Sequence, residues 1–198
     1  MIEIVKMIII NVLSAIYEQA VFAFVMAVLF MFLYMFAKEQ GWKRSVQRWL
    51  AQFKNSEDFR RTFILALYTI MILHKTLVNR SVWANPLENV IGVWGLYNVN
   101  GELTTEVLEN LVLFIPFTIF LLWSFKEIII GQLVGLFVTV WKSVKVVFLF
   151  SLTIEFLQLF LRLGTFQLSD LFYNTLGGLI GGLIYWCAYK LTHRKKEK

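Results

Sequence analysis

The stretch AVFAFVMAVLFMFLYMFA, residues 20–37, contains eighteen residues and no charged side chain. That is close to the shortest helix that crosses a hydrocarbon core about 30 Å thick. The rest of the chain has the same character, since 59% of its 198 residues are hydrophobic and only 16% are charged. A soluble domain of this length would be about half apolar and about a quarter charged. The composition therefore predicts a membrane protein.

The crossings are predicted to be helical. The sequence lacks the period-two alternation, in units of about ten residues, that is typical of an outer-membrane barrel. A helix satisfies its backbone polar groups internally, which the lipid environment requires. We predict five spans, at about residues 20–37, 62–78, 107–125, 146–161 and 173–191. The fold class is thus an all-α polytopic membrane bundle, with a kink expected at Pro116 in the third span.

Two apolar segments do not fit a simple crossing. Residues 1–19 are interrupted by Glu3, Lys6 and Glu18, so we expect an amino-terminal amphipathic helix that lies in the interface or leads into the first span. No cleavage site of the A-x-A type follows it, so we expect no signal peptide. Residues 128–141 are too short for a crossing, and we predict an interfacial or re-entrant segment there.

The distribution of positive charge predicts the orientation, because Lys and Arg concentrate on the cytoplasmic side of a membrane. With five spans, 15 of the 19 cationic residues fall on one side, in the loops 38–61 and 126–145 and in the tail from residue 190 onward. We therefore predict a multi-pass protein with its amino terminus outside and its carboxyl terminus in the cytoplasm. The net charge of +6 is interpreted as a topology and lipid-headgroup signal, not as a nucleic-acid interface.

Polar residues in the fourth span share one helical face. Ser151, Glu155, Gln158 and Arg162 are spaced by four, three and four residues, which places them along one side of a helix. Arg162 marks the outer end of the span in the predicted topology. Glu155 then lies about 10 Å below Arg162, at a rise of about 1.5 Å per residue. The charged part of this face is predicted to lie in the outer leaflet.

The fifth span carries a matching stripe. Asp170 and Asn174 open it at the outer side, and four glycines follow at helical spacing. The glycines form two small-xxx-small pairs, which favour close helix packing. These helix-packing residues are Gly177, Gly178, Gly181 and Gly182.

The second and third spans add polar groups at the same outer level. Lys75 and Arg80 lie toward the outer end of the second span, and Glu109 and Asn110 open the third. Ion pairs within such a mixed cluster would be purely structural. Ionisable groups inside a membrane are also functional candidates by default. The residue chemistry alone leaves both interpretations open.

Three stretches resemble the VanZ-like family: ENLVLFIPF (109–117), SLTIEFLQLF (151–160) and LSDLFYNTLGGLIGG (168–182). The positions that carry the resemblance are Asn110, Pro116, Glu155, Gln158, Arg162, Gly164, Asp170, Asn174, Thr175, Gly177 and Gly178, with Thr76 and Arg80 more loosely similar. The turn before the last span departs from the family pattern, because Gln167 and Ser169 stand where further aspartates often occur.

The resemblance implies a VanZ-like membrane domain at residues 62–191 in a bacterial plasma membrane. The segment 1–61 would precede it and the basic tail 192–198 would follow it. The resemblance also implies a role in tolerance of lipoglycopeptide antibiotics such as teicoplanin. It does not supply a reaction.

The favoured hypothesis is an outer-leaflet site that binds an amphiphile, either a lipoglycopeptide or a lipid-linked cell-wall precursor. The cations Lys75, Arg80 and Arg162 would meet phosphate or carboxylate groups. The remaining candidate ligand-binding residues are Asn110, Glu155, Gln158, Asp170 and Asn174.

Two alternatives remain open. In the first, Glu155 or Asp170 acts as a general acid or base on a lipid-linked substrate. In the second, the polar cluster is structural and binds no ligand. We expect no cofactor and no metal, because the HExxH and G-x-S-x-G motifs are absent and His74 stands alone within the spans. The single cysteine, Cys187, excludes an internal disulfide, and the oligomeric state is left open.

Overall fold

The computed structural model of the chain describes residues 2–36, 41–78, 83–97, 101–132 and 134–194. The helices are α1 (Ile2–Phe36), α2 (Trp42–Asn55), α3 (Glu57–Leu73), α4 (Glu106–Ile129), α5 (Leu136–Leu161) and α6 (Leu168–Arg194). A π-helical turn, His74–Val78, extends α3. Within these ranges, β-type pairing is limited to an isolated bridge between Tyr97 and Leu103. The all-α prediction is confirmed.

Three helices are long and apolar enough to cross a membrane: α4, α5, and α6 as far as Thr192. They correspond to the third, fourth and fifth predicted spans. The first predicted span falls in the second half of α1, and the second falls in α3 and its π-helical turn. Those two crossings stay predictions.

The prediction of a separate interfacial or re-entrant segment at 128–141 is wrong. α4 continues to Ile129, and α5 begins at Leu136 as a helix of 26 residues. Gly135 precedes α5 with an extended backbone (φ −92°, ψ 150°). An apolar stretch too short for a crossing is thus shared between two helices, each of which is long enough.

Of the two alternatives predicted for residues 1–19, the structure shows the helix that leads into the first predicted span, because α1 is one helix of 35 residues, about 52 Å long. The kink predicted at Pro116 is wrong. In α4, the residue with non-helical angles is Phe125 (φ −127°, ψ 32°), not Pro116. A packed membrane helix tolerates the single N–H that proline removes, because neighbouring groups satisfy the freed carbonyl.

The basic loop 38–61 contains an amphipathic helix, α2, that the sequence analysis did not predict. Trp49 of α2 stacks on Phe32 of α1, with ring centroids 5.8 Å apart, and meets Phe63 of α3 edge-on at 5.9 Å. Its cations Lys43, Arg44 and Arg48 are exposed. The apolar residues at 42, 46, 49 and 53 have helical spacing and would have indicated this element.

The glycines of α6 allow α4 to approach closely. Gly177 lies against the backbone of Leu111, and a Cβ on Gly181 would be 2.6 Å from the carbonyl oxygen of Ile115. The residue numbers of these contacts increase in the same direction along both helices. α4 and α6 are therefore parallel.

On its other side α6 packs against α5. A Cβ on Gly178 would be 2.7 Å from Val147, and one on Gly182 would be 2.5 Å from the hydroxyl of Ser143. At these contacts the residue numbers decrease along α5 while they increase along α6, so α5 and α6 are antiparallel. Two pairs of small residues therefore let α6 pack between α4 and α5.

The remaining long helices continue this alternation. Lys75 meets Glu109 at one end of α3 and α4, whereas Tyr68 meets Phe120 further along, so these helices are antiparallel. Asn11 of α1 donates to Thr105, next to the start of α4, at 3.1 Å. One end of the bundle, the polar end, thus holds the π-helical turn, the start of α4, the end of α5 and the start of α6. The opposite or basic end holds α2, the start of α3 and the ends of α4 and α6.

Candidate functional site

The polar end contains a set of buried polar side chains, here called the polar layer. They come from the π-helical turn, α4, α5, α6 and the α5–α6 turn, and are Thr76, Asn110, Ser151, Glu155, Gln158, Gln167, Ser169, Asp170 and Asn174. Buried polar groups in an apolar bundle are unfavourable unless they are hydrogen-bonded. The partners of these groups therefore define what the layer can do.

Glu155 connects α5 to the turn that precedes α6. It is 2% exposed, and its Oε2 accepts a hydrogen bond of 2.9 Å from the backbone N–H of Gln167. Gln167 directly precedes α6, where the helix carries a partial positive charge. A carboxylate at this position is therefore stabilised by both the hydrogen bond and the helix dipole.

Asp170 lies in the first turn of α6 and is 6% exposed. The same helix terminus thus has two buried carboxylates beside it, one from α5 and one from its own first turn. Among the turn residues, Gln167 donates to the hydroxyl of Thr165 at 2.8 Å, and Ser169 is 3.4 Å from Gln167 Oε1. From the sequence, Gln167 and Ser169 were recognisable only as departures from the family pattern.

Gln158 joins α5 to the π-helical turn. Its Nε2 donates to the carbonyl oxygen of Thr76 at 2.8 Å, while its Oε1 is buried and has no hydrogen-bond partner within the described ranges. A π-helical turn alters the regular backbone hydrogen bonding of a helix, and such turns occur frequently at functional sites. Gln158 therefore uses half of its hydrogen-bonding capacity for structure and retains a free acceptor.

Asn174 and Asn110 likewise use only part of their hydrogen-bonding capacity. Asn174 Nδ2 donates to Ser151 Oγ at 2.8 Å, but Asn174 Oδ1 has no partner in the described part of the chain. Asn110 Nδ2 is also buried and unpartnered there. The layer thus offers one donor and two acceptors from three amides on α4, α5 and α6. Leaving such an atom unpaired costs about 1–3 kcal/mol, so these atoms are candidates to bind a ligand or water.

Lys75 is engaged in an ion pair outside the layer. Its Nζ is 2.8 Å from Glu109 Oε2, and both side chains are mostly buried. Thr105 donates to the other carboxylate oxygen at 2.6 Å. This ion pair is the kind of contact that the structural interpretation predicts, and the assignment of Lys75 to ligand binding stays a prediction.

Arg162 is not brought into the layer. It ends α5 in the left-handed conformation (φ 54°, ψ 35°), which directs its side chain away from the helix face, and the side chain is exposed. Its carbonyl oxygen accepts from the backbone N–H of Trp83 at 2.9 Å. Arg80 lies outside the described residues.

A segment from the α3–α4 connection, residues 83–97, covers the turn and is here called the cap loop. Phe166 N–H donates to Pro86 at 2.9 Å, and Leu168 N–H donates to Val90 at 2.8 Å. The hydroxyl of Tyr173 donates to the carbonyl of Trp94 at 3.0 Å. The cap loop therefore covers the polar layer on the side of the α5–α6 turn, and it is held there mainly by backbone hydrogen bonds.

Gly92 brings the cap loop closest to the layer. Its φ of 76° is a conformation that favours glycine, and a Cβ there would collide with the side chain of Ser169. Trp94 packs on Phe172 with ring centroids 5.3 Å apart. Gly92, Trp83 and Trp94 are sequence signals of a packed loop, which was not among the predictions above.

The layer offers hydrogen-bonding amides and hydroxyls together with two carboxylates. No group of three His, Cys, Asp or Glu side chains able to hold a metal ion occurs among the described residues. These features define a helical membrane protein with a buried polar layer at one end of its bundle.

The family profile described as VanZ/LLP1 matches residues 21–189. The chain therefore belongs to the VanZ/LLP1 family. The Protein VanZ of Enterococcus faecium is 28% identical over 141 residues, which cover 67% of this chain and 78% of the relative. No solved structure matches the chain.

Proposed function

We propose that the polar layer binds the polar part of an amphiphile at the outer leaflet of a bacterial plasma membrane. The ligand is a lipoglycopeptide such as teicoplanin or the lipid-linked cell-wall precursor that such an antibiotic targets. Binding contributes to glycopeptide tolerance. The amino terminus lies outside and the carboxyl terminus in the cytoplasm, in agreement with the concentration of cations at the basic end.

The observation that carries this proposal is a set of three buried amide atoms that have no hydrogen-bond partner among the residues the structure describes: Asn110 Nδ2, Gln158 Oε1 and Asn174 Oδ1. They offer a donor and two acceptors, which match the amide and hydroxyl groups of a peptide or sugar headgroup. The carboxylates of Glu155 and Asp170 add two strong acceptors at the same helix terminus.

An amphiphile also needs an apolar surface. Aromatic side chains at the polar end face outward, and Phe160 and Phe172 are 79% and 50% exposed. An acyl chain would lie along these faces while the headgroup enters the layer. Because the cap loop covers the turn, entry requires that its backbone hydrogen bonds to residues 166 and 168 open.

The test compares a variant of the layer with a matched variant of the lipid-facing surface. In a glycopeptide-sensitive bacterium that produces the protein, Gln158→Leu should abolish teicoplanin tolerance because it removes the free acceptor. Thr153→Val on the exposed side of the same helix should retain it. Membrane levels of both variants are measured in parallel. Tolerance that survives Gln158→Leu, Asn174→Leu and Asn110→Leu at normal protein levels would exclude this site.

A second candidate function is favoured by the two buried carboxylates beside the start of α6. In this enzyme hypothesis, Glu155 or Asp170 acts as general acid or base on a lipid-linked envelope precursor. Glu155→Gln keeps the size of the side chain and removes its acid–base chemistry. A product from the precursor that disappears in Glu155→Gln, while precursor binding persists, would support catalysis over binding alone.

The structural interpretation of the layer has its own expected outcome. If the layer only holds the helices together, its variants should lower the free energy of unfolding and the membrane level together, and tolerance should fall in proportion to protein level. The ion pair of Lys75 with Glu109 supports this interpretation for that part of the predicted cluster.

A further inference from the structure

The basic end of the bundle contains a cavity of about 770 Å³, far from the polar layer. It lies between the start of α3, the end of α4 and the last turns of α6. The non-helical angles of Phe125 turn the last residues of α4 out of the helix line, and Phe125 and Lys126 both line the cavity. The break in α4 therefore forms part of the cavity wall.

Two cations of the lining are held against aromatic rings. The guanidinium of Arg61 lies 5.1 Å from the ring centre of Trp123, and Lys126 Nζ lies 5.2 Å from that of Tyr189. Such contacts keep a cation in place without neutralising its charge. Lys126 is thus held in place with its charge able to attract an anion, whereas the terminal nitrogens of Arg61 also pair with Glu57 and Asp58.

The lining also presents hydrogen-bond donors that lack partners. Arg61 pairs through its terminal nitrogens with Glu57 and Asp58, but its Nε is buried and unpartnered in the described ranges. The hydroxyl of Ser124, also in the lining, is buried and unpartnered there. Buried donors without acceptors are rare in folded proteins and indicate an absent acceptor.

The chemistry of the walls identifies the class of ligand. The Lys126 ammonium and two open donors, Arg61 Nε and Ser124 Oγ, match a phosphate group. Ile119, Tyr185 and Ala188 give the cavity an apolar side, and its volume is within the range of about 300–1,000 Å³ typical of small-molecule sites. A phosphate alone would leave most of this space and the apolar side unused. The carboxylates of Asp58 and Glu127 lie at the exposed rim.

We infer that this cavity binds the phosphodiester headgroup of an anionic membrane phospholipid. The phosphate is held by Arg61, Ser124 and Lys126, and the glycerol backbone and upper acyl chain lie against the apolar side. This headgroup site is separate from the polar layer, so the lipid and the proposed outer-leaflet ligand occupy opposite ends of the bundle.

The chain offers a closely matched control for the test. Lys190 is also a cation at the basic end and also lies over a ring, 5.0 Å from the centre of Trp186, but it does not line the cavity. Lys126→Gln and Lys190→Gln therefore remove the same charge at the same end of the protein. They differ in whether the charge faces the cavity.

The experiment measures binding of a fluorescent short-chain phosphatidylglycerol to the purified full-length protein in detergent. Lys126→Gln should weaken binding about fivefold, as expected for one basic residue at a lipid headgroup, and Lys190→Gln should change it less than about twofold. Ser124→Ala, which removes one donor without altering charge, should weaken binding about threefold.

Three results would overturn the inference. Equal weakening by Lys126→Gln and Lys190→Gln would reduce the effect to general electrostatic attraction. Displacement of the lipid by glycerol 3-phosphate at equal concentration would identify a soluble phosphate ester as the ligand. Equal affinity for phosphatidylcholine would show that the anionic headgroup is not recognised. If Lys126→Gln fails to fold, Ser124→Ala against Thr153→Val gives the same comparison without a change of charge.

Discussion

The polar end and the basic end of the bundle both contain charged residues, but they accommodate them in different ways. At the polar end, Glu155 and Asp170 are almost completely buried, and Glu155 accepts a hydrogen bond from the backbone N–H of Gln167. At the basic end, Arg61 and Lys126 lie over aromatic rings and remain partly exposed. The first arrangement depends on close helix packing, whereas the second depends on the interface between protein and solvent. Substitutions at the two ends should therefore differ in their effect on stability.

The largest effect is expected where α6 meets α4. Gly181→Val would drive a side chain into the carbonyl of Ile115 and the Cβ of Thr118, so the helices must separate. We expect the free energy of unfolding to fall by about 3 kcal/mol, measured by denaturant titration in detergent micelles. Gly135→Ser at the start of α5, where an added Cβ meets nothing within 4 Å, is the control and should change stability by about 0.5 kcal/mol or less. A small effect of Gly181→Val would contradict the packing described here.

The second comparison removes one carboxylate from each end. Glu155→Ala leaves the backbone N–H of Gln167 buried and unpaired, and should lower the free energy of unfolding by about 2 kcal/mol. Asp58→Ala removes a carboxylate that is 90% exposed and should lower it by about 0.5 kcal/mol or less. Thermal unfolding of both variants in the same micelles measures the difference. Equal losses would show that burial does not distinguish the two ends.

The smallest expected effect concerns ion pairs. A double-mutant cycle on Lys75 and Glu109, with Lys75→Met and Glu109→Gln, should give a coupling energy of about 1 kcal/mol because both side chains are mostly buried. The cycle on Arg61 and Asp58, whose charged atoms are 3.7 Å apart and whose Asp58 side chain is 90% exposed, should give a value close to zero. Raising the salt concentration should reduce the second coupling first. A larger coupling at the basic end would reverse the comparison.

The fold class, a helical membrane protein, and part of the order of the helices were predictable from local sequence. Long charge-free stretches allow only helices in lipid, and three of the predicted spans match α4, α5 and α6. The segment 128–141 was misjudged because length was counted between charges, although Lys126, Glu127, Lys142 and Lys145 lie within or beside helices that continue past them. Charged residues at a helix end do not terminate the helix, since long side chains reach the interface.

The candidate site was predictable in its positions and not in its partners. The helical spacing of Ser151, Glu155 and Gln158 places them on one face, and the structure buries that face. Spacing cannot show that Arg162 adopts a left-handed conformation and leaves the face. Nor can it show that Lys75 finds Glu109, because that pairing depends on the relative height of two helices.

The sequence by itself determined that this protein is helical and membrane-embedded, because these follow from composition and local spacing, which act within one segment of the chain. It also carries the family's motifs. Only the tertiary structure decided which polar groups are satisfied and which remain open. Packing between the helices sets the register that gives Gln158 the carbonyl of Thr76 and gives Asn174 the hydroxyl of Ser151. The same packing folds the cap loop over the turn and opens a cavity at the opposite end, since these features depend on segments far apart in the chain.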